Sequence, residues 1–365
     1  MNIVRIAISK LRIPLIRPFI TALRRTDFIE DIVVTLECSN GLIGFGSAAA
    51  TPAITGDTQE SILGAIQIMG RWLLGKSIEP FEELLFQLQS RLINNPSAKA
   101  AIDIALHDLM AQHRKMPLYQ FLGGCCRNLT IVNTISVKSA AEMVEDAELF
   151  VEQGFATLKI KVGLDQSDDI ERIQAIHAAI GDKAQLICDA NQGWDSKSAL
   201  RILEKLHQNN VDILMIEQPV KAWDYAGLKY IRDHSAIPIY ADESVFNLRD
   251  AAKIATEQIA DGINIKLMKS GGLYQAQSIY QLANAYQIPC MAGCMLESPI
   301  GLTAMASFVI GRSQIRFIDL DPIAMIRSNP VIGGIQLKGA SLTLSEAPGL
   351  GIQNVEHLEP LATLE

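Results

Sequence analysis

The feature that most limits the fold of this chain is a repeating rhythm. After Gly123-Gly124, short apolar runs of strand length alternate with longer amphipathic stretches of helical period. The runs cover residues 130–135, 155–162, 184–188, 211–216, 237–240, 262–267, 288–291 and 315–318. Parallel neighbours need a long crossover, usually a helix. Eight such units within roughly 200 residues favour a closed (β/α) barrel over an open sheet.

The front of the chain has a different grammar. Residues 3–13 and 31–38 alternate and are rich in β-branched side chains, and Asn40-Gly41 reads as the turn into residues 42–45. From 58 to 122 the period becomes helical. The 365 residues suit a barrel of about 250 residues plus an attachment. The expected organisation is an α+β capping domain over 1–125, a (β/α) barrel over 126–325 and a segment over 326–365 that returns to the cap.

Composition narrows the function classes. The chain is 49% hydrophobic and 20% charged with a net charge of -8, which is ordinary for a globular protein and repels nucleic acid and anionic membranes. A small-molecule substrate becomes the expected partner, with room for a homo-oligomer. No run has the apolar length of a membrane span and the start lacks a signal-peptide pattern, so a cytoplasmic location is expected. The cysteines at 38, 125, 126, 188, 290 and 294 lack zinc-type spacing and read as reduced thiols.

Chemistry gathers at the ends of the strand-like runs. Asp189, Glu217 and Asp242 each follow an apolar run, and 28 and then 25 residues separate them, about one βα unit each. Any one of them could be the N-cap of the next helix. Three in register put three carboxylates at one barrel mouth, where their mutual repulsion calls for a cation. An all-oxygen set without His or Cys points to Mg²⁺, with Mn²⁺ as the usual substitute.

Lysines flank the trio. Lys159 and Lys161 sit at i and i+2 and so face the same side of their strand, while Lys266 follows Asp242 by 24 residues. Buried in a barrel they would be costly, which places them at the mouth. Metal charge and a neighbouring ammonium lower a lysine pKa, as a general base needs; in this reading Lys159 lowers Lys161 and binds substrate anion.

The motifs Lys159-Ile160-Lys161, Asp189-Ala190-Asn191, Glu217-Gln218-Pro219, Asp242-Glu243-Ser244 and Lys266-Leu267-Met268-Lys269-Ser270-Gly271-Gly272 resemble the muconate-lactonizing subgroup of the enolase superfamily. The resemblance spans essentially the whole chain. It implies an enolase-type barrel, Mg²⁺ on Asp189, Glu217 and Asp242, Lys161 as base for the R substrate and Lys266 for the S substrate, working through an enediolate. The histidine that mandelate-racemase relatives carry on the seventh strand is missing from residues 289–294.

Within the subgroup, Asp319-Leu320-Asp321 resembles the Asp-x-Asp pair with which dipeptide epimerases grip a substrate ammonium. Residues 19–24 and 54–57 resemble the mobile loops of the L-Ala-D/L-Glu epimerases, which implies that Arg24 meets a glutamate side chain and ties the activity to cell-wall peptide. The same likeness implies substrate contacts at Thr134, Lys159 and the backbone of Cys294, where Ser is more usual. Rival readings are an o-succinylbenzoate synthase or N-acylamino acid racemase, an epimerase of another dipeptide, or a barrel that binds without turnover. Acyl substrates lack the ammonium that Asp319 and Asp321 would hold.

Overall fold

The computed structural model describes residues 1–125 and 128–365. Cys126, and with it the expected boundary between 125 and 126, falls outside them. Among the described residues Cys38, Cys125, Cys188, Cys290 and Cys294 are free thiols.

The chain opens with an antiparallel meander of Ile3–Ile20, Arg25–Cys38 and Ile43–Ala49, and the last strand, Glu359–Leu364, pairs with the first. The first strand is longer than the expected 3–13 because its pairing with the second resumes at Phe19 and Ile20 beyond an irregularity after Pro14. Helix Pro96–His113 lies against this sheet and is buried continuously from Ser97 to Ala111. Glycine makes the contact possible: a Cβ on Gly46 would sit 1.9 Å from the Ala101 carbonyl oxygen.

The second sheet has eight strands in unbroken chain order, every neighbouring pair parallel: Asn133–Ile135, Thr157–Lys161, Gln185–Asp189, Ile216–Glu217, Ile239–Ala241, Gly262–Ile265, Cys290–Ala292 and Ile315–Ile318. The ends of the sheet meet, with the Val132 amide donating to the Ile318 carbonyl at 2.9 Å, so the strands wrap into a barrel. The run at 211–216 forms regular strand only from Ile216. Before that, the Leu214 amide donates to Leu186 and Met215 accepts from Cys188, bonds that hold the segment to its neighbour without a full ladder.

Alternation along the strands sorts the interior. Leu158, Ile160, Leu186, Cys188, Ile216, Ile239, Ile263 and Ile265 point outward into the main core. Val132, Ile187, Met215, Tyr240 and Met291 point inward and, with Leu214 and Phe317, form an apolar floor. Two residues beyond Val132, Ile187, Met215 and Tyr240 stand the polar Thr134, Asp189, Glu217 and Asp242. Among the described residues no helix is long and apolar enough to cross a membrane.

Candidate active site

Strand register sets the level of each charged side chain. Lys161 pairs with Asp189 and Asp189 with Glu217, so these three are lateral neighbours on three adjacent strands. Asp242 follows strand Ile239–Ala241, and Lys266 follows Gly262–Ile265. The helices after these acidic strand ends are capped by Asp195, Asp224 and Asn247. Asp189, Glu217 and Asp242 are therefore not caps, and all three are fully buried.

The ammonium groups lie among the carboxylates. Lys159 Nζ is 3.0 Å from Asp189, 2.7 Å from Glu217 and 2.7 Å from Asp319. Lys161 donates to Asp189 at 2.5 Å and Lys266 to Asp242 at 2.6 Å. Lys269 donates to the other oxygen of Asp242 and, at 3.0 Å, to the Asn264 carbonyl. The Asn264 amide donates to Glu217 at 2.7 Å.

This sharing explains the proton affinities. Burial disfavours the Lys159 ammonium, but Asp189, Asp319 and Glu217 outweigh it and hold its pKa well above the lysine range. Burial likewise works against Lys266, and Asp242 and Glu217 reverse it upward. The Lys159 ammonium works the other way on Lys266, but the carboxylates outweigh it. Burial raises Asp189 and Asp242, yet Lys159 and Lys161 hold the first down at about 2, and Lys266 and Lys269 hold the second far below the carboxylate range. Glu217 receives only a share of Lys159, so burial and Asp189 push it up to about 8.

The donor set suits a hard divalent ion: three buried carboxylates, with Glu243 Oε2 and Asn191 Oδ1 unpartnered nearby on the same strand ends. Among the described residues no three Asp, Glu, His or Cys side chains are already drawn into a cage, since the lysines stand between them. A cation bound by Asp189, Glu217 and Asp242 would take over a role the ammonium groups now fill.

Above the cluster a pocket is lined by Arg24, Thr134, Lys159, Lys161, Lys266, Cys294, Asp319 and Asp321. It brings together every substrate contact and both lysine bases expected from the sequence, while the three candidate metal ligands lie beneath. Asp321 stands at the N-cap of the short helix Pro322–Met325 without capping it; its carboxylate accepts from the Thr134 amide at 2.7 Å. Burial and Asp319 push the Asp321 carboxyl up to about 7. The Cys294 thiol donates to the Asp319 carbonyl at 3.1 Å. Half-buried Arg24 makes no ion pair among the described residues, and burial lowers its pKa.

Several members of the cluster escaped the sequence reading. Asn264 is two residues before Lys266 and so shares its face, a signal that was available. Lys269 comes from the short helix Leu267–Ser270, where strand periodicity has lapsed. Gln218 has φ +38°, rare for a side chain with a Cβ. Its Oε1 accepts from the amides of Asp242 at 2.9 Å and Ser244 at 3.1 Å, tying the Glu217 strand end to the next one.

Comparison with known proteins agrees with this geometry. Residues 4–123 match the mandelate racemase / muconate lactonizing enzyme N-terminal domain, and residues 142–357 the enolase C-terminal domain-like family. The chain is 44% identical to an L-Ala-D/L-Glu epimerase of Clostridium acetobutylicum, over 96% of this chain and 99% of that one. It superposes on a substrate-liganded L-Ala-D/L-Glu epimerase of Bacillus subtilis with TM-score 0.95 and 42% identity, covering 97% of this chain and 99% of the other. An Enterococcus faecalis dipeptide epimerase complexed with Mg and L-Leu-L-Tyr gives TM-score 0.94 at 37% identity, covering 97% and 100%.

Proposed function

The chain belongs to the mandelate racemase / muconate lactonizing enzyme family of enolase-type barrels, and from that premise we propose that it is a Mg²⁺-dependent dipeptide epimerase, an isomerase that inverts the α-carbon of the C-terminal residue, with L-Ala-D/L-Glu as its first substrate. The observation that carries the reading is one pocket lined by Lys161 and Lys266, by Asp319 and Asp321, and by Arg24. The named activities and ligands of the relatives lend support.

Mg²⁺ on Asp189, Glu217 and Asp242 supplies positive charge against which a substrate carboxylate becomes easier to deprotonate at its α-carbon. The protein's own groups do the rest. Asp319 and Asp321 hold the substrate ammonium, and its arrival favours the ionised form of Asp321. Lys159 binds the substrate carboxylate, and Arg24 offers its guanidinium to the glutamate side chain.

Proton transfer needs Lys161 and Lys266 in opposite states. For one stereoisomer the neutral Lys161 amine takes the α-proton from one face and the Lys266 ammonium returns a proton to the other. The enzyme ends with Lys161 charged and Lys266 neutral, ready for the reverse reaction. The pair thus inverts a stereocentre with no redox partner. A dipeptide of this kind is a fragment of cell-wall peptide, which gives the reaction a place in murein metabolism.

The test is solvent deuterium entering the Glu α-carbon of L-Ala-L-Glu and L-Ala-D-Glu, followed by ¹H NMR with Mg²⁺. Exchange in both dipeptides is expected, and none in either would overturn the reading. Screening other dipeptides tests Arg24: Arg24→Met should reduce the preference for an acidic C-terminal side chain over an apolar one. An unchanged preference assigns the substrate choice to other pocket residues.

A further inference from the structure

A second charged region lies away from the pocket, where the cap helix meets the barrel. Lys99, in helix Pro96–His113, is 8% exposed. Among the described residues its ammonium has no carboxylate partner and no hydrogen bond, and burial lowers its pKa. An isolated buried ammonium is costly unless something compensates it.

Its surroundings offer neutral hydrogen-bond donors. Lys99 lines a cleft of about 480 Å³ together with Lys269, Asn94, Asn247, Ser270 and Gln275, and no aspartate or glutamate lines it. The same helix begins there; its N-cap Asn95 gives no side-chain cap, and the buried Asp57 carboxylate accepts from the Ser97 amide at 3.2 Å, so the helix start itself is already matched. The cleft is separate from the substrate pocket and shares none of its lining residues.

We propose that the cleft between helix Pro96–His113 and the barrel is a binding site for a small oxyanion, held chiefly by Lys99, with inorganic phosphate as its probe. The neutral amides of Asn94, Asn247 and Gln275 can donate to the oxyanion without repelling it. Lys269 borders the cleft, but its fully buried ammonium already donates to the Asp242 carboxylate and carbonyl and to the Asn264 carbonyl, so the free charge is that of Lys99.

Phosphate titrated into the Mg²⁺-loaded full chain, read by ³¹P line broadening, should saturate. Lys99→Met should weaken that binding at least tenfold. Gln275→Glu, which sets a carboxylate into the cleft and leaves Lys99 in place, should weaken it by a similar factor. Lys99→Arg should stay within about threefold of the parent. Without phosphate Lys99→Met should melt no lower than the parent, since it removes an uncompensated charge, and phosphate should no longer raise its melting temperature. The proposal fails if the parent does not saturate, or if parent, Lys99→Met and Gln275→Glu give the same curve.

Discussion

Two layers of the barrel interior are equally buried and chemically opposite. Ile187 and Asp189 stand two residues apart on one strand, both fully out of solvent, yet the first belongs to the apolar floor and the second to the charged mouth. The floor contributes stability simply by leaving water, at about 25 cal/mol per Å² of apolar surface. The mouth gains little net stability from its pairs, because desolvation offsets their attraction; removing one partner nevertheless leaves a bare charge behind. Stability therefore rests on the floor and the outer shell, and reactivity on the mouth.

The sharpest way to break this comparison is to remove one base at a time. Lys161→Ala and Lys266→Ala should each slow α-proton exchange by about 10²- to 10⁴-fold, each from a different stereoisomer, when L-Ala-L-Glu and L-Ala-D-Glu are followed by NMR in D₂O. Parallel losses from both isomers would end the two-face assignment. Next in size, Asp242→Asn strips the charge that faces Lys266 and Lys269 and should cost about 3–5 kcal/mol in urea unfolding of the metal-free chain. A neutral result would mean that the mouth tolerates an unmatched charge.

In the floor, Met215→Ala should cost about 3 kcal/mol by leaving a cavity while turnover per folded molecule stays near that of the parent. If turnover fell as far as in the lysine variants, the two layers would not be separable. Per pH unit, the smallest effect lies at the outer edge of the mouth. Burial and Asp31 push the Glu297 carboxyl up to about 8, and burial pushes Asp31 up to about 6. Between the ordinary carboxyl range and those values the folded chain holds protons that the unfolded chain has released. Stability should fall as pH rises through that window, by at most about 1.4 kcal/mol per pH unit for each such proton. Glu297→Gln should flatten the slope between pH 5 and 8 in denaturant titrations; an unchanged slope would assign it to other groups.

Much of the mouth was legible before any coordinates. A two-residue period puts Lys159 and Lys161 on one face, and spacings of 28 and 25 residues put three acids on successive strand ends. Where periodicity lapses, legibility lapses with it. Lys269 reaches Asp242 from a short helix, and Gln218 bridges two strand ends from a left-handed backbone position. The segment before Ile216 looked like strand by composition, but only its last residues keep a regular ladder. The first strand was underestimated because its pairing resumes past an irregularity that follows Pro14.

Amino-acid order alone settled the alternation of strands and helices, the kinds of charge available and the interval at which they recur, because these depend on local period and on chain length per unit. Only the folded chain decided which ammonium sits against which carboxylate. Lys159 touches Asp319 across 160 positions of sequence, a contact that exists because the barrel closes and brings its second and last strands to one mouth. Proton affinities follow from that closure as well, since burial and the identity of the nearest charges set them, and both are properties of the assembled interior.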